Sequence, residues 1–206
     1  MVLIPAIVAT SADSQVTPRM LGFGGSGGRQ AEGRVEVDGL GTGFATGNGV
    51  SPYVADLQNS LEVSFSTSGS LGEAEVSGPA LNVVPRTGGN TFRGSFYAGG
   101  TGGGMIGSNY TQELKDRGLT TPGQLRKAWD FNLGIGGPVA RDRVWFFANV
   151  REEGSERTVP GMFANANAGD PTKWTYVADT SRPAVLAASY RITALRLTAQ
   201  ATPRNK

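Results

Sequence analysis

The sequence contains neither cysteine nor histidine. The lack of cysteine excludes a disulfide framework and any metal site built on thiolates. Without a cysteine nucleophile or a histidine base, the Ser-His-Asp and Cys-His forms of nucleophilic catalysis are also excluded. No apolar run approaches the roughly 18 residues that a membrane helix needs. The longest run, residues 1–9, is broken by Pro5 and lacks the basic segment that begins a signal peptide.

Charged residues are also scarce, at 17% of the chain, and they are unevenly distributed. Residues 1–90 carry four basic and eight acidic side chains, a net charge of 4 − 8 = −4. Residues 91–206 carry fifteen basic and nine acidic side chains, a net charge of 15 − 9 = +6. This asymmetry is typical of two different structural units. The arginines stand singly rather than in clusters, which argues against a nucleic-acid partner.

Glycine, in contrast, is abundant, with 31 residues. Residues 22–27 match the spacing Gly-x-Gly-x-x-Gly of a dinucleotide-binding loop. However, no buried strand pattern precedes this segment and no helical pattern follows it. We therefore interpret it as a glycine-rich turn, and the sequence predicts no cofactor and no metal site.

The first half of the chain shows short β-strand patterns separated by turn residues. Strands are predicted at residues 34–37, 61–67 and 81–84, because apolar and polar side chains alternate there between Gly, Asn and Pro. Helical patterns are rare and short. They predict one or two turns at residues 111–117 and two turns at residues 183–190.

Four longer alternating segments follow, at residues 91–98, 129–137, 144–151 and 193–201. Each has about nine residues, the length that a tilted strand needs to cross a bilayer. The connections between them are long, short and long, at about thirty, six and forty residues. Short turns at one end and long loops at the other are typical of outer-membrane barrels.

The apolar side of these segments has two possible environments. In a soluble sandwich it forms the core, whereas in a membrane barrel it faces lipid, and alternation alone does not separate the two. Four strands cannot close a barrel, and each unpaired edge group in lipid costs several kcal/mol. Transmembrane strands would therefore belong to an incomplete barrel. The candidate lipid-facing residues are Trp129, Phe131, Leu133, Ile135, Val144, Phe146 and Val150.

Several segments resemble one known family. Residues 81–96 (LNVVPRTGGNTFRGSF) resemble the join between plug and barrel in TonB-dependent outer-membrane receptors, especially those with a carboxypeptidase-regulatory-like N-terminal domain. Residues 136–147 resemble the second and third barrel strands around a short periplasmic turn. Residues 37–40 resemble a plug strand that ends at Asp-Gly. Residues 195–206 resemble a later hairpin.

The resemblance implies a mainly β fold in two parts. Residues 1–90 would be the C-terminal part of a plug domain, and residues 91–206 would be the first strands, about four, of a truncated antiparallel transmembrane barrel. The whole protein would take up a scarce nutrient, such as a siderophore or an oligosaccharide, across the outer membrane of a Gram-negative bacterium. Its partners would be outer-membrane lipid, the nutrient and the TonB complex, which would bind a plug segment upstream of Met1.

Complementary charge suggests how the two parts dock. An acidic plug would lie inside a lumen lined by arginines, through hydrated contacts worth about 0–1 kcal/mol each. The candidate plug and lumen contacts are Asp38, Arg86, Asn90, Arg93, Asp130, Arg151 and Arg196.

Two other functions are compatible with parts of the pattern. The first is a soluble all-β binding or cell-surface adhesion module. The second is a carboxylate-based enzyme that uses Glu152, Glu153 or Asp130. We do not favour an enzyme, because adjacent Glu152 and Glu153 point to opposite faces of a strand. The aromatic residues Phe163, Trp174 and Tyr176 stack on a ligand or pack within their own loop, and we favour the second role.

Overall fold

The computed structural model describes residues 7–9, 21–25, 32–42, 50–51, 56–67, 78–200 and 202. Residues 26–27 of the glycine-rich segment, and residues 201 and 203–206 of the resembled hairpin, lie outside these ranges. The described strands are β1 (Ile7–Ala9), β2 (Leu21–Gly25), β3 (Arg34–Val37), β4 (Leu40–Gly41), β5 (Val50–Ser51), β6 (Ser60–Ser66), β7 (Ala80–Pro85), β8 (Arg93–Gly102), β9 (Leu125–Ala140), β10 (Val144–Asn165) and β11 (Ala178–Ala199).

Helices are few and short in the described ranges. They comprise α1 (Gln112–Asp116) and two 3-10 turns, Leu57–Asn59 and Gly103–Met105. The helix predicted at residues 111–117 is therefore confirmed. Within these ranges, no helix has the length and apolar character that crossing a membrane requires. The fold is mainly β, as predicted.

The described strands form three sheets. β1, β2 and β5 make one three-stranded sheet. The order β4-β3-β7-β6 makes a four-stranded sheet, here called the small sheet, in which β3 and β7 are parallel and the other neighbours are antiparallel. The order β11-β10-β9-β8 makes the large sheet, which is antiparallel throughout.

The small sheet has an apolar core that its alternating sequence predicts. Val35, Leu81 and Val83 are buried together with Phe23 of β2, and Phe65 packs against them. The Phe23 and Phe65 rings lie 5.7 Å apart, centroid to centroid. The burial of side chains that alternate along β3 and β7 explains why these segments form strands. All three strands predicted in this part are confirmed.

The strands of the large sheet are longer than their alternating segments predict. β10 and β11 have 22 residues each, and the connection between them covers residues 166–177 instead of about forty residues. The helix predicted at residues 183–190 is wrong, because these residues belong to β11 and pair with β10. Pairing with a neighbouring strand outweighs the helical preference of this alanine-rich segment. The short connection is a turn at residues 141–143, in which Asp142 has a φ of 62°.

Candidate functional site: the contact between the two sheets

The large sheet has one apolar face, and that face is exposed. Paired residues of an antiparallel sheet point to the same side, and the pairs Phe96–Leu133 and Leu133–Val150 form one row across three strands. Phe96 is 71% exposed, Leu133 50% and Val150 45%. Leu195 and Leu197 extend this apolar face onto β11 and are exposed as well.

All seven residues predicted to face lipid lie on this apolar face. The register pairs Trp129 with Gly154, Ile135 with Ala148, and Gly137 with Phe146. Phe131, Leu133, Ile135 and Val150 are exposed, and Trp129, Val144 and Phe146 are half-buried. The Trp129 ring lies over Gly154, where an added Cβ would be 2.3 Å from the ring. The register shows that these seven residues lie on one side of the sheet, whereas their contact with lipid stays a prediction.

The opposite face of the large sheet mixes polar and aromatic side chains, and the small-sheet side of the molecule covers part of it. Asn132 of β9 is only 3% exposed, and Trp145 and Phe147 of β10 are also buried. The residues that meet Asn132 are Asp56 and Asn59, which immediately precede β6. The large sheet therefore buries Asn132 together with two aromatic side chains on this face, and exposes leucine, isoleucine and phenylalanine on the other.

A buried hydrogen-bond network, here called the Asp56 cluster, joins the two sheets. It comprises Asp56, Asn59, Ser95, Asn132 and Asn149. Asp56 caps the turn Leu57–Asn59 and accepts a hydrogen bond from the Asn59 side-chain amide at 2.8 Å. The same carboxylate accepts from the side-chain amides of Asn132 at 2.6 Å and Asn149 at 2.9 Å.

Asn59 links the cluster to a third strand of the large sheet. Its side-chain amide also donates to Oδ1 of Asn132 at 2.6 Å, and its Oδ1 accepts from the hydroxyl of Ser95 at 3.1 Å. A Cβ at Gly134 would be 1.9 Å from Oδ1 of Asn59. Glycine at this position therefore lets Asn59 approach the backbone of β9.

A second attachment lies in residues 86–92, here called the connecting segment, between β7 and β8. Asn90 donates to Oδ1 of Asp142 at 2.6 Å and accepts from the Asp142 backbone N–H at 3.0 Å. Its Oδ1 also accepts from Nε1 of Trp145 at 2.7 Å. At Gly88, an added Cβ would be 2.2 Å from the carbonyl oxygen of Phe146. The connecting segment is thus fixed to β10 and to the turn before it.

Some of the predicted plug and lumen contacts lie between the sheets and others lie within one sheet. Arg196 of β11 pairs with Asp38 of the β3–β4 turn at 2.5 Å. Arg151 instead pairs with two residues of its own sheet, Asp130 at 2.9 Å and Glu153 at 2.7 Å.

Two further arginines lie at the connecting segment. Arg86 donates through Nε to the Ser60 carbonyl at 3.2 Å, and through its backbone N–H to the Asn59 carbonyl. Arg93 is exposed and lines, with Arg86 and Phe147, an open cleft of about 480 Å³.

Sequence reasoning did not find the residues of the Asp56 cluster. One local signal existed, because Asp followed three residues later by Asn and Ser is a pattern of a capped turn. The partners of this turn lie 76 and 93 residues away along the chain, at Asn132 and Asn149. Sequence spacing gives no information on such distant pairs.

The described residues contain no group of three or more Asp and Glu side chains arranged to hold a metal ion. The acidic residues considered for catalysis are held in ion pairs. Glu152 bonds with Arg191 on the apolar face, and Glu153 bonds with Arg151 on the covered face. The two glutamates thus point to opposite faces, as expected from their adjacency.

The chain is similar in part to one named protein. It is 34% identical over 116 residues to the TonB-dependent transporter Oar of Myxococcus xanthus. This match covers 54% of the chain and 11% of the relative. The chain therefore spans only about a tenth of the length of the curated relative it matches. No protein-family profile matches the chain, and no solved structure matches it.

Proposed function

We propose that this chain is part of a TonB-dependent transporter of the outer membrane of a Gram-negative bacterium. Residues 1–90 form the later part of its plug, and residues 91–206 form the first four strands of its barrel. The observation that carries this proposal is the exposure of the apolar face of the large sheet, while the small sheet meets the opposite face at the buried Asn132. The partial similarity to a TonB-dependent transporter agrees with it.

The polarity argument depends on the solvent around the sheet. Moving a large apolar side chain out of water stabilises a protein by about 1.5–3 kcal/mol. A sheet that faced water on this side would forgo that contribution at Phe96, Leu133, Leu195 and Leu197, all at least half exposed. Lipid contact recovers it, and contiguous apolar patches of this kind mark membrane or partner surfaces.

The height of the apolar face fits a bilayer. Along β10 it extends from Val144 to Glu152, which pairs with Arg191 in the first charged row of that face. Eight residue steps at 3.4 Å make roughly 27 Å of strand, and the strand tilt of about 35–45° in outer-membrane barrels reduces this to a height of roughly 19–22 Å, against an apolar band of about 25 Å. Trp129 lies just beyond this row, with the Lys127 ammonium 5.1 Å from its ring centroid. Tryptophan beside charge is typical of the membrane interface.

The proposed role is energised uptake of a scarce nutrient such as a siderophore or an oligosaccharide. The family resemblance of residues 81–96 and the relative's name support transport, and neither identifies the nutrient. TonB would act through a plug segment other than those described here, and further strands would pair with the edges of β8 and β11 to close the barrel. The proposal gives the chain no catalytic role and no cofactor.

Tryptophan fluorescence tests the membrane environment. We would place the full chain in vesicles whose acyl chains carry bromine near the head groups, and compare it with W129F and W174F. Bromine should quench the emission of the parent chain. W129F should lose that quenching, because Trp129 lies on the apolar face. W174F should keep it, because Trp174 is 94% exposed in the connection between β10 and β11.

Absence of bromine quenching in all three proteins, together with a monodisperse product in water, would instead favour a soluble binding or adhesion module. Transport is tested separately in cells of the source bacterium. Deletion of the gene and deletion of TonB should abolish uptake of the same compound from a panel of iron chelates and oligosaccharides. Uptake that persists without TonB would contradict the energised mechanism.

A further inference from the structure

The Asp56 cluster holds a buried carboxylate that no salt bridge joins to a cation among the described residues, although the Arg151 guanidinium interacts with it electrostatically. The hydrogen bonds to Asp56 come from neutral groups, the three side-chain amides and the backbone N–H of Asn59 at 3.4 Å. Each donor that this buried carboxylate loses adds a desolvation cost, so partial opening of the cluster is unfavourable. We therefore treat the cluster as a single contact that is either seated, with these hydrogen bonds formed, or open, with them broken.

The ion pair between the two sheets, Asp38 with Arg196, holds them less firmly than the Asp56 cluster because it is more exposed. Asp38 and Arg196 are each more than a third exposed, so water and salt screen their attraction. The strands of the small sheet pair with one another, and Asp56 and Asn59 extend from that sheet to the large one. Among the described residues, the Asp56 cluster is thus the buried polar contact that determines where the small sheet sits.

The connecting segment has a different kind of attachment. Asn90 is bonded to the turn before β10 through three hydrogen bonds, and Gly88 lies against the backbone of β10. Arg86, two residues before Gly88, is bonded to the small sheet through Asn59 and Ser60. The change of attachment from one sheet to the other occurs between Arg86 and Gly88.

We propose that Asp56 is the positioning residue that seats the small sheet, and that the small sheet leaves this seat as a unit while the connecting segment stays on β10. The pivot lies between Arg86 and Gly88. The use of this movement in opening a transporter rests on the proposed function, whereas the seat itself does not.

Exchanging the acceptor Asp56 and the donor Asn132 tests whether the Asp56 cluster holds the small sheet in place. D56N places an amide where three donors converge, and N132D brings two carboxylates together at a site where the native atoms are 2.6 Å apart. Either change alone should raise hydrogen exchange in β6 and β7 by about ten- to a hundredfold. The double variant D56N/N132D restores one carboxylate and one amide, and should return exchange to within a few-fold of the parent.

The readout is hydrogen exchange followed by mass spectrometry on the full chain in detergent micelles. Peptides from β9 and β10 should keep the parent rate in both single variants. N90A is the matched control, and it should raise exchange in residues 86–92 and 141–145 but leave β6 and β7 unchanged. Equal loss of protection in both sheets, no loss at all, or a double variant no better than the single ones would overturn the proposal.

A crosslink gives a second test if D56N does not fold. The chain has no cysteine, so within one chain N59C/S95C can form a single disulfide, between positions whose side-chain oxygens now lie 3.1 Å apart. Oxidation should slow exchange in β6 and β7 below the rate of the reduced double variant and leave residues 86–92 unchanged. Unchanged exchange in β6 and β7 would show that seating at this point does not limit their opening. If bromine quenching fails while these results hold, the seat stands and only its role in transport is lost.

Discussion

Adjacent glycines of the connecting segment differ in what surrounds them. A Cβ at position 88 would be 2.2 Å from the carbonyl oxygen of Phe146, whereas a Cβ at position 89 would meet no atom within 4 Å. We expect G88A to push the segment off β10 and to lower the free energy of unfolding by about 1–3 kcal/mol. Urea titration followed by tryptophan emission measures the change.

G89A is the matched control for this substitution, with the same side chain added one position later. It should stay within about 0.5 kcal/mol of the parent. An equal loss in both variants would mean that backbone freedom, rather than contact with Phe146, requires glycine here.

At Asp170 and Asp179, neighbouring hydroxyl groups lower the pKa of the carboxyl. The Thr172 hydroxyl donates to Asp170 at 2.6 Å and lowers the pKa of that carboxyl, with further help from the Thr172 backbone N–H and Lys173. Because the pKa is lowered in the folded chain, the stabilisation exists above the ordinary aspartate pKa. It is lost as the pH falls through the lowered value. Acidification should thus loosen the connection between β10 and β11.

T172V removes the hydroxyl but keeps the backbone donor. The pKa of Asp170, followed by NMR of its carboxyl carbon, should rise toward the ordinary value. S181A is the control, since the Ser181 hydroxyl lowers the pKa of Asp179 in the same way. It should raise the pKa of Asp179 and leave that of Asp170 unchanged. A pKa of Asp170 that does not respond to T172V would rule out the hydroxyl as its main cause.

At the scale of elements, alternation in the sequence located every strand of the large sheet but not its full length. Where the two faces of a strand differ strongly in polarity, as in residues 129–137, the alternation of apolar and polar residues is visible in the sequence. Residues 152–165 and 178–192 lie in strands without such a contrast, and their conformation comes from the ladder between β10 and β11. That ladder joins residues distant in sequence, as the Asp56 cluster does, so neither was predictable from local spacing.

Cross-strand packing around Trp129 gives a prediction at this scale. Gly100 of β8 and Gly154 of β10 both pair with Trp129, but the ring covers only Gly154. G154A should therefore displace the ring, shift its emission and destabilise the sheet by about 1–3 kcal/mol. G100A should leave the emission nearly unchanged, because an added Cβ there would lie 3.1 Å from the Ala128 carbonyl oxygen and 4.0 Å from Cα of Trp129, with no atom of the ring among its nearest neighbours. Equal emission shifts in G154A and G100A would mean that the Trp129 ring contacts both glycines.

At the scale of the whole molecule, the proposal of a membrane environment depends on which face of the large sheet the rest of the chain covers. A sandwich and a barrel share the same stripe of apolar residues, and they differ in which face the rest of the chain covers. Here the small sheet meets the face that carries Asn132, and Phe96 and Leu133 stay exposed. No local sequence pattern contains this information, because it depends on how two sheets meet.

A charge placed at two heights on the apolar face tests this reading of the whole molecule. Ile135 lies near the middle of the apolar band, whereas Ala187 pairs with Glu156, beyond the charged row of Glu152 and Arg191. In lipid vesicles, I135R should lower the free energy of unfolding by about 2–4 kcal/mol and A187R by about 0–1 kcal/mol. In water an exposed arginine at either position would change little. A large loss of unfolding free energy in I135R but not in A187R thus requires lipid against this face. Equally small losses in both variants would contradict lipid contact with the exposed leucines and phenylalanines.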